Sequence, residues 1–421
     1  MISRKHGIAT RFALEWTALV AFLLLAGGAF ATPVAAASSP QSASYQVFSR
    51  TLTSPNASPE GGFGISSAVS GNIVVVGAFN ETANGYTGAG HAYIYSAKTG
   101  ALLHTLTSPN AQTNGEFGAF AVVASDNIVV VTAWNEAANG FAQAGHAYIF
   151  NAATGALLRT LTSPNAQTGG EFGNGIAVSG NIVVVSAWHE AANGFAEAGH
   201  AYVYSADTGT LLRTFTSPNA QTGGQFGDEV GVAGKIVAVG AETETANGYS
   251  QAGHAYTFNV LTGKLITAFT SPNPVTGGYF GSTVTLVGNV LALGAQNETP
   301  NGYIGAGRAY TYSADTGTLL RTFTSPNAQT GGQFGWALAV NGNTLDVSGW
   351  LETANGHAGA GHVYIFNIET GALIRTLTSP NAQTFGGFGE AVAAIGNIVV
   401  VGAPFEAAGG YAGAGHAYLF Y

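Results

Sequence analysis

Phe63-Gly64-Ile65-Ser66-Ser67-Ala68-Val69-Ser70-Gly71-Asn72-Ile73-Val74-Val75-Val76-Gly77-Ala78 is the stretch on which the fold turns. Phe63 to Ser70 reads as a strand. Gly71-Asn72 is a tight-turn signal between extended runs. Asn72 to Ala78 is a continuous β-branched run, as a strand covered on both faces requires. Downstream, Asn80 to Gly90 is polar and Gly-rich and reads as a loop. His91-Ala92-Tyr93-Ile94-Tyr95 reads as a third strand, Thr99-Gly100 as a turn and Ala101 to Thr107 as a fourth strand. Ser108-Pro109-Asn110 ends it, because proline cannot continue a ladder.

This unit recurs along the chain. Phe-Gly pairs begin at Phe63, Phe117, Phe172, Phe226, Phe280, Phe334 and Phe388, 54 residues apart except for one gap of 55. A long period means that each repeat is one supersecondary unit burying its apolar faces against its neighbours. Seven units of four antiparallel strands predict an all-β, seven-bladed β-propeller over residues 38–421. A β-solenoid is the alternative, but its coils are shorter than this unit. Thr-Gly separates strands three and four in six units, and the seventh unit reaches Tyr421 at the end of its third strand. Residues 45–53 resemble the missing fourth strand, so the N-terminal strand is expected to complete the last blade by pairing with 414–421 and close the ring. The extra residue of unit two is expected in its first hairpin, Ala124-Ser125-Asp126-Asn127.

Residues 1–37 have a different character. Arg4, Lys5 and Arg11 precede an apolar stretch from Trp16 to Phe30, and small residues follow, with cleavage expected after Ala31 or Ala37. That layout predicts a secretory signal peptide, hence a secreted, periplasmic or cell-surface protein with no membrane insertion after cleavage. Removing it leaves 9 basic and 20 acidic residues, a net charge of −11. No basic patch is visible, which argues against nucleic acid as a partner. The chain has no cysteine, so neither disulfides nor thiol chemistry support it.

With Phe-Gly, the β-branched run and Gly-Ala in register, residues 45–421 resemble the FG-GAP repeat family, which includes the propeller head of integrin α subunits and many exported prokaryotic proteins. The fullest match is Phe388-Gly389 followed by Val399-Val400-Val401-Gly402-Ala403-Pro404. The resemblance implies a propeller and ligand binding or adhesion. Several integrin-type repeats carry an Asp-rich calcium loop in the first hairpin. Here that hairpin is Ser70-Gly71-Asn72, Ser179-Gly180-Asn181 or Val287-Gly288-Asn289, which offers too few oxygens for Ca²⁺. Ala206-Asp207-Thr208-Gly209 and its copies also resemble repeats of quinoprotein dehydrogenase propellers. The Trp that follows in those repeats is absent, and Asp-Thr-Gly reads as a turn.

Two polar positions repeat. Each long loop carries a glutamate: Glu81, Glu136, Glu190, Glu244, Glu298, Glu352 and Glu406. Ten residues later stand His91, His146, His200, His254, Arg308, His362 and His416. Such pairs could serve as acid/base or metal equipment. An active site is one constellation, however, and nothing catalytic requires seven copies. With strands ~4.8 Å apart and a hub of ~7 Å radius, matching histidines on adjacent blades lie ~14 Å apart, too far for one ion to bridge. These residues are therefore expected to be scaffold, the Glu accepting loop N–H groups and pairing with the His or Arg. No catalytic residue, metal or cofactor is expected.

The loops between strands two and three share one face with the links between blades, and longer loops on a rigid scaffold are the expected binding surface. On that face, positions that break the sevenfold pattern single out Trp134, Trp188 and Trp350 after the Gly-Ala site, and Trp336, Asp228 and Glu390 after Phe-Gly. Exposed Trp beside amides and acids would suit a carbohydrate or protein ligand; packing between blades is the competing use of these side chains. Three readings follow, in order: a monomeric binding or adhesion propeller, a repetitive surface or matrix protein without a specific small ligand, and a quinoprotein-like enzyme. The 23 residues Ser205 to Gly227 recur unchanged at Ser313 to Gly335, which keeps the second reading open.

Overall fold

The computed structural model describes residues 49–421, apart from Ala121 and Asp126. The expected signal peptide, and residues 45–48 of the expected closing strand, lie outside the described residues. Seven four-stranded antiparallel sheets follow one another along the chain. In the first, the strands are Phe63–Ser70, Ile73–Ala78, His91–Ser96 and Leu102–Thr107, as the sequence predicts. Six sheets are built from consecutive strands. The seventh takes Val392–Ile395, Ile398–Ala403 and His416–Phe420 from the C-terminal end and Ser49–Leu52 from the N-terminal end. Its register pairs Ser49 with Phe420 and Leu52 with Ala417. Ring closure by the N-terminal strand is thus present in the fold.

Each second strand is buried on both faces because it lies between two neighbouring blades. Val75 packs with Phe117, Val129, Val131, Tyr148 and Phe150 of the next blade. Val74 and Val76, pointing the other way, pack with Val400 and Leu419 of the seventh blade. The period of two along a strand thus becomes a division between two partners. Fourth strands contribute little to these cores: Leu106 is buried, while Leu102 and Leu103 are exposed.

The two motif glycines meet between blades. Gly402 lies so close to the Gly64 carbonyl that a Cβ on it would stand 1.8 Å from that oxygen. Gly64 has φ +99°, and its own Cβ would stand 2.2 Å from the His416 carbonyl. Any side chain at either position pushes the seventh and first blades apart. Where Thr132, Ser186 or Ser348 replaces the Gly of Gly-Ala, the space is filled tightly against Gly173, Gly227 and Gly389.

At the outer rim, a basic side chain on one fourth strand reaches the three–four turn of the next blade. Arg50 donates to the Thr99 carbonyl, Arg159 to that of Asp207, Arg213 to that of Val260 (3.2 Å) and Arg321 to that of Ile368 (2.8 Å). The His104 ring nitrogen lies 2.8 Å from the Ala153 carbonyl. These latches use five of the few basic residues.

The extra residue of unit two is not in the hairpin. Strands Val122–Ser125 and Ile128–Ala133 leave the same two-residue turn as in the first blade. The registers differ earlier: Val122 faces Val131, whereas Ser67 faces Val76, so the insertion falls between Gly118 and Val122. It brings Phe120 against Trp134, ring centroids 5.4 Å apart.

A chain beginning at Ser58 lacks the fourth strand of the seventh blade and exposes the edge of His416–Phe420. It is expected to melt at lower temperature than a chain that includes residues 45–57, and to aggregate. Equal melting temperatures by calorimetry would contradict closure as a source of stability.

Candidate functional site

The repeated glutamates have no exposed surface in any blade. Six of them, all but Glu352, are held by groups from two directions. The serine of Ser-Pro-Asn, which follows the previous blade's fourth strand, donates its hydroxyl to the carboxylate: Ser54 to Glu81, Ser108 to Glu136, Ser163 to Glu190, Ser217 to Glu244, Ser271 to Glu298 and Ser379 to Glu406. A tyrosine from the glutamate's own third strand donates to the other oxygen, at 2.6 Å from Tyr148 to Glu136 and from Tyr256 to Glu244. His Nδ1 lies 2.9–3.1 Å from the same oxygen in six blades, and Arg308 Nη1 lies 3.1 Å from Glu298.

The donors differ from those expected: the carboxylates take hydroxyl protons, not loop N–H groups. The loop N–H of Gly90 instead reaches the main-chain carbonyl of Glu81 at 3.0 Å. Burial pushes the Tyr93, Tyr148, Tyr202, Tyr256, Tyr310, Tyr364 and Tyr418 hydroxyls well above their usual range, with the adjacent glutamate charge adding to it. Burial likewise raises Glu298, with Ser271, Tyr310 and Arg308 acting against it. In the sixth blade Gly349 replaces the usual alanine, and the Glu352 carboxyl carbon stands 2.6 Å from where that methyl would be. Among the described residues no group of three or more His, Cys, Asp or Glu side chains converges as metal ligands do.

The pattern-breaking aromatics lie deeper than a surface site requires. Trp188 is fully buried, stacks on His189 with centroids 4.0 Å apart and donates Nε1–H to Glu171 at 2.7 Å. Trp134 and Trp336 are buried, and Trp350 is half-buried. Trp336 and Trp350 pack together at 4.8 Å, and Trp350 donates to Gln333 at 2.8 Å. Asp228 is buried with its main-chain carbonyl accepting from Asn174 at 3.1 Å, while Glu390 is half-buried. These indole contacts lie within their own units: Trp188 with His189 and Glu171, Trp336 with Trp350, and Trp134 with Phe120.

The residue before Phe-Gly is a position the sequence reading passed over. Its occupants are Gly62, Glu116, Glu171, Gln225, Tyr279, Gln333 and Gly387, all at positive φ. The same test of broken symmetry finds them. Glu171 also lies 3.3 Å from His189 Nδ1, and Gln225 Nε2 lies 3.1 Å from His189 Nε2. Burial pushes Glu116 up to about 8; the Trp134 indole counteracts this and the Glu171 charge adds to it. Glu116 is therefore mostly neutral at pH 7.

What the long loops expose is their tips. Ala83 and Tyr86 exchange both main-chain hydrogen bonds, at 3.1 and 2.9 Å, around Asn84 and Gly85 at φ +52° and +84°. Two central residues at positive φ make a type I′ turn, which Asn-Gly favours. The same bridge recurs at Ala138–Phe141, Ala192–Phe195, Ala246–Tyr249, Ala354–His357 and Ala408–Tyr411. In the fifth blade Pro300-Asn301-Gly302 delivers Tyr303 with a single bond, Tyr303 N–H to the Pro300 carbonyl at 2.9 Å, since proline has no N–H to return. Tyr86, Phe141, Phe195, Tyr249, Tyr303 and Tyr411 are 42–47% exposed, and His357 is exposed at the seventh tip. Within the loop that the sequence marks from Asn80 to Gly90, Asn84-Gly85 is the turn and Tyr86 is the side chain it presents.

Residues 47–95, 158–204 and 373–420 match the family model for the FG-GAP repeat. These three stretches match FG-GAP repeats and lie within a ring of seven four-stranded blades, consistent with an FG-GAP propeller. The fold is similar to the crystal structure of the computationally designed Ika8 protein, with a TM-score of 0.50 and 20% identity over 86% of this chain and 96% of that one. No curated protein matches the chain. Among the described residues no helix is long and apolar enough to cross a membrane.

Glu116 offers a pH test. Its folded pKa of about 8 lies above the usual 4.5, so the stability it contributes is full below about 4.5 and is lost as pH rises through 8. Glu116→Gln should therefore gain on the order of 3–4 kcal/mol relative to the unsubstituted protein between pH 5 and pH 9. Urea denaturation at both pH values measures this, and an unchanged difference would contradict the burial of an ionisable carboxyl.

Proposed function

We propose that this chain is an exported, non-catalytic propeller that binds a partner, or mediates adhesion, through its long-loop face. The single observation that carries this reading is the ring of loop tips, where tight turns hold aromatic side chains out of a rigid scaffold. The FG-GAP repeats support a binding or adhesion role, and the leader-like residues 1–37 support export. The non-catalytic reading rests on the repeated Glu, His and Tyr groups, which are buried and engaged with one another in every blade. The repetitive-matrix reading keeps support from the unchanged 23-residue stretch and from the near-equivalence of the seven tips. It differs in asking only for many weak, equal contacts.

The face is tested with the chain lacking residues 1–37, labelled and sedimented with cell envelopes of its source organism. Phe141→Ser with Phe195→Ser removes two neighbouring tips and should weaken binding by about tenfold or more if they are anchors, with the melting temperature unchanged. Trp188→Ala should instead lower stability, by roughly 3–5 kcal/mol for a fully buried indole. If the tip variant binds normally while changes at Asn181 and Thr208 in the short turns abolish binding, the opposite face is the functional one.

A further inference from the structure

The tips have a chemistry of their own. The seven turn segments 82–87, 137–142, 191–196, 245–250, 299–304, 353–358 and 407–412 contain no Lys, Arg, Asp or Glu. They present one aromatic ring or imidazole each, beside Asn side chains in six blades and small residues throughout. We propose that this ring of tips binds an uncharged polysaccharide, several tips engaging one polymer at once; the proposal rests on the long-loop face being the binding face.

Three observations select that partner. The first is the absence of charge. A chain with 21 acidic and 12 basic residues repels anionic polymers and membrane surfaces unless a local basic patch overrides the repulsion, and these segments contain no basic residue. The second is the kind of group exposed. A flat Tyr or Phe stacks on the C–H face of a sugar ring while a neighbouring amide takes its hydroxyls, so an aromatic–amide surface fits a neutral glycan. Insertion into a bilayer asks for larger contiguous apolar area than single rings separated by Asn and Gly.

The third is repetition. Six tips carry Tyr or Phe with nearly equal exposure, on type I′-like turns with nearly equal dihedral angles. A single folded protein partner has no sevenfold match to such a ring, and selection for one partner drives copies apart. Here the copies stay alike where they are exposed and diverge where they are buried, at Trp134, Trp188, Asp228 and Glu242. Like sites spaced on the order of 10–15 Å apart, from a strand spacing of ~4.8 Å, match a partner that also repeats. The turns add rigidity: two main-chain hydrogen bonds fix the tip residue in six loops and one fixes Tyr303 in the fifth blade, so little ordering is lost on binding. Weak single contacts then multiply, linked sites exceeding one site by about 10²–10⁴-fold.

The test uses the chain lacking residues 1–37 and particulate cellulose, chitin, mannan and β-1,3-glucan as probes, with alginate as the charged counterpart and phosphatidylcholine vesicles as the lipid arm. The unsubstituted protein is expected to be depleted from solution by at least one neutral polymer and not by alginate, with free monosaccharide competing poorly. Phe141→Ser alone should weaken retention by a few fold. Tyr86→Ser, Phe141→Ser and Phe195→Ser together should weaken it about 100-fold, with an unchanged melting curve. No retention on any neutral polymer, or equal retention of the triple variant, overturns the assignment. Tip-dependent retention on the vesicles overturns it in favour of a lipid surface. A concentration-dependent dimer that the triple variant loses overturns it in favour of a second copy. If envelope binding stays sensitive to the tips while no polymer is bound, the binding face stands and the polysaccharide falls. If envelope binding ignores the tips and follows Asn181, both fall.

Discussion

A carboxylate with no exposed surface needs donors, and here that need joins the blades. Removing such a charge from water costs several kcal/mol unless it is paired and hydrogen-bonded. Six of the repeated glutamates meet the cost with a serine hydroxyl from the incoming link, a tyrosine hydroxyl from their own third strand and a histidine or arginine beside them; Glu352 has the Tyr364 hydroxyl and His362 alone. The donors come from both sides of a blade boundary. In six blades the glutamate takes a donor from the link that enters from the blade before, so the buried charge couples those repeats to their predecessors. The glycine pair at the same boundary sets the distance: main chains that approach as Gly64 and Gly402 do leave no space for a side chain.

That arrangement accounts for why the most regular polar residues are engaged within the fold. Seven buried carboxylates, seven tyrosines and six histidines look like chemistry in the sequence. In the structure they contact one another. The surface left for recognition is elsewhere, at the loop tips, where the same repeat unit places an aromatic side chain on a tight turn. One long loop thus carries both roles a few residues apart: Glu136 at its buried start and Phe141 at its exposed tip.

The sequence made visible what is set locally or by period. Phe-Gly spacing gave the blade count, Gly-Asn and Thr-Gly gave the turns, and the matching of residues 45–53 to the fourth strand gave closure. It was silent where a tertiary neighbour decides. Trp188 breaks the sevenfold pattern, and only the positions of Glu171 and His189 show that its ring is enclosed. The glutamate donors could not be named because Ser163 stands 27 residues from Glu190 and meets it across a blade boundary, and Tyr202 stands 12 residues on, on the next strand of the same blade. The rim latches were hidden for the same reason, since Arg213 finds its carbonyl 47 residues on. The aromatic tips were legible: in six long loops the Asn-Gly is followed by Tyr, Phe or His, in the seventh Gly409-Gly410 is followed by Tyr411, and the turn exposes that residue.

The coupling across a blade boundary is measured most directly by a double-mutant cycle on Ser163 and Glu190, in equilibrium urea denaturation at pH 7. Glu190→Ala should lower stability by roughly 1–3 kcal/mol, because it strands the buried hydroxyls of Ser163 and Tyr202. Ser163→Ala should cost about 1–3 kcal/mol by leaving the carboxylate short of a donor. The double variant should cost less than the sum, with an interaction energy of about 0.5–3 kcal/mol. Strictly additive effects, or a Glu190→Ala protein as stable as the unsubstituted one, would contradict the account.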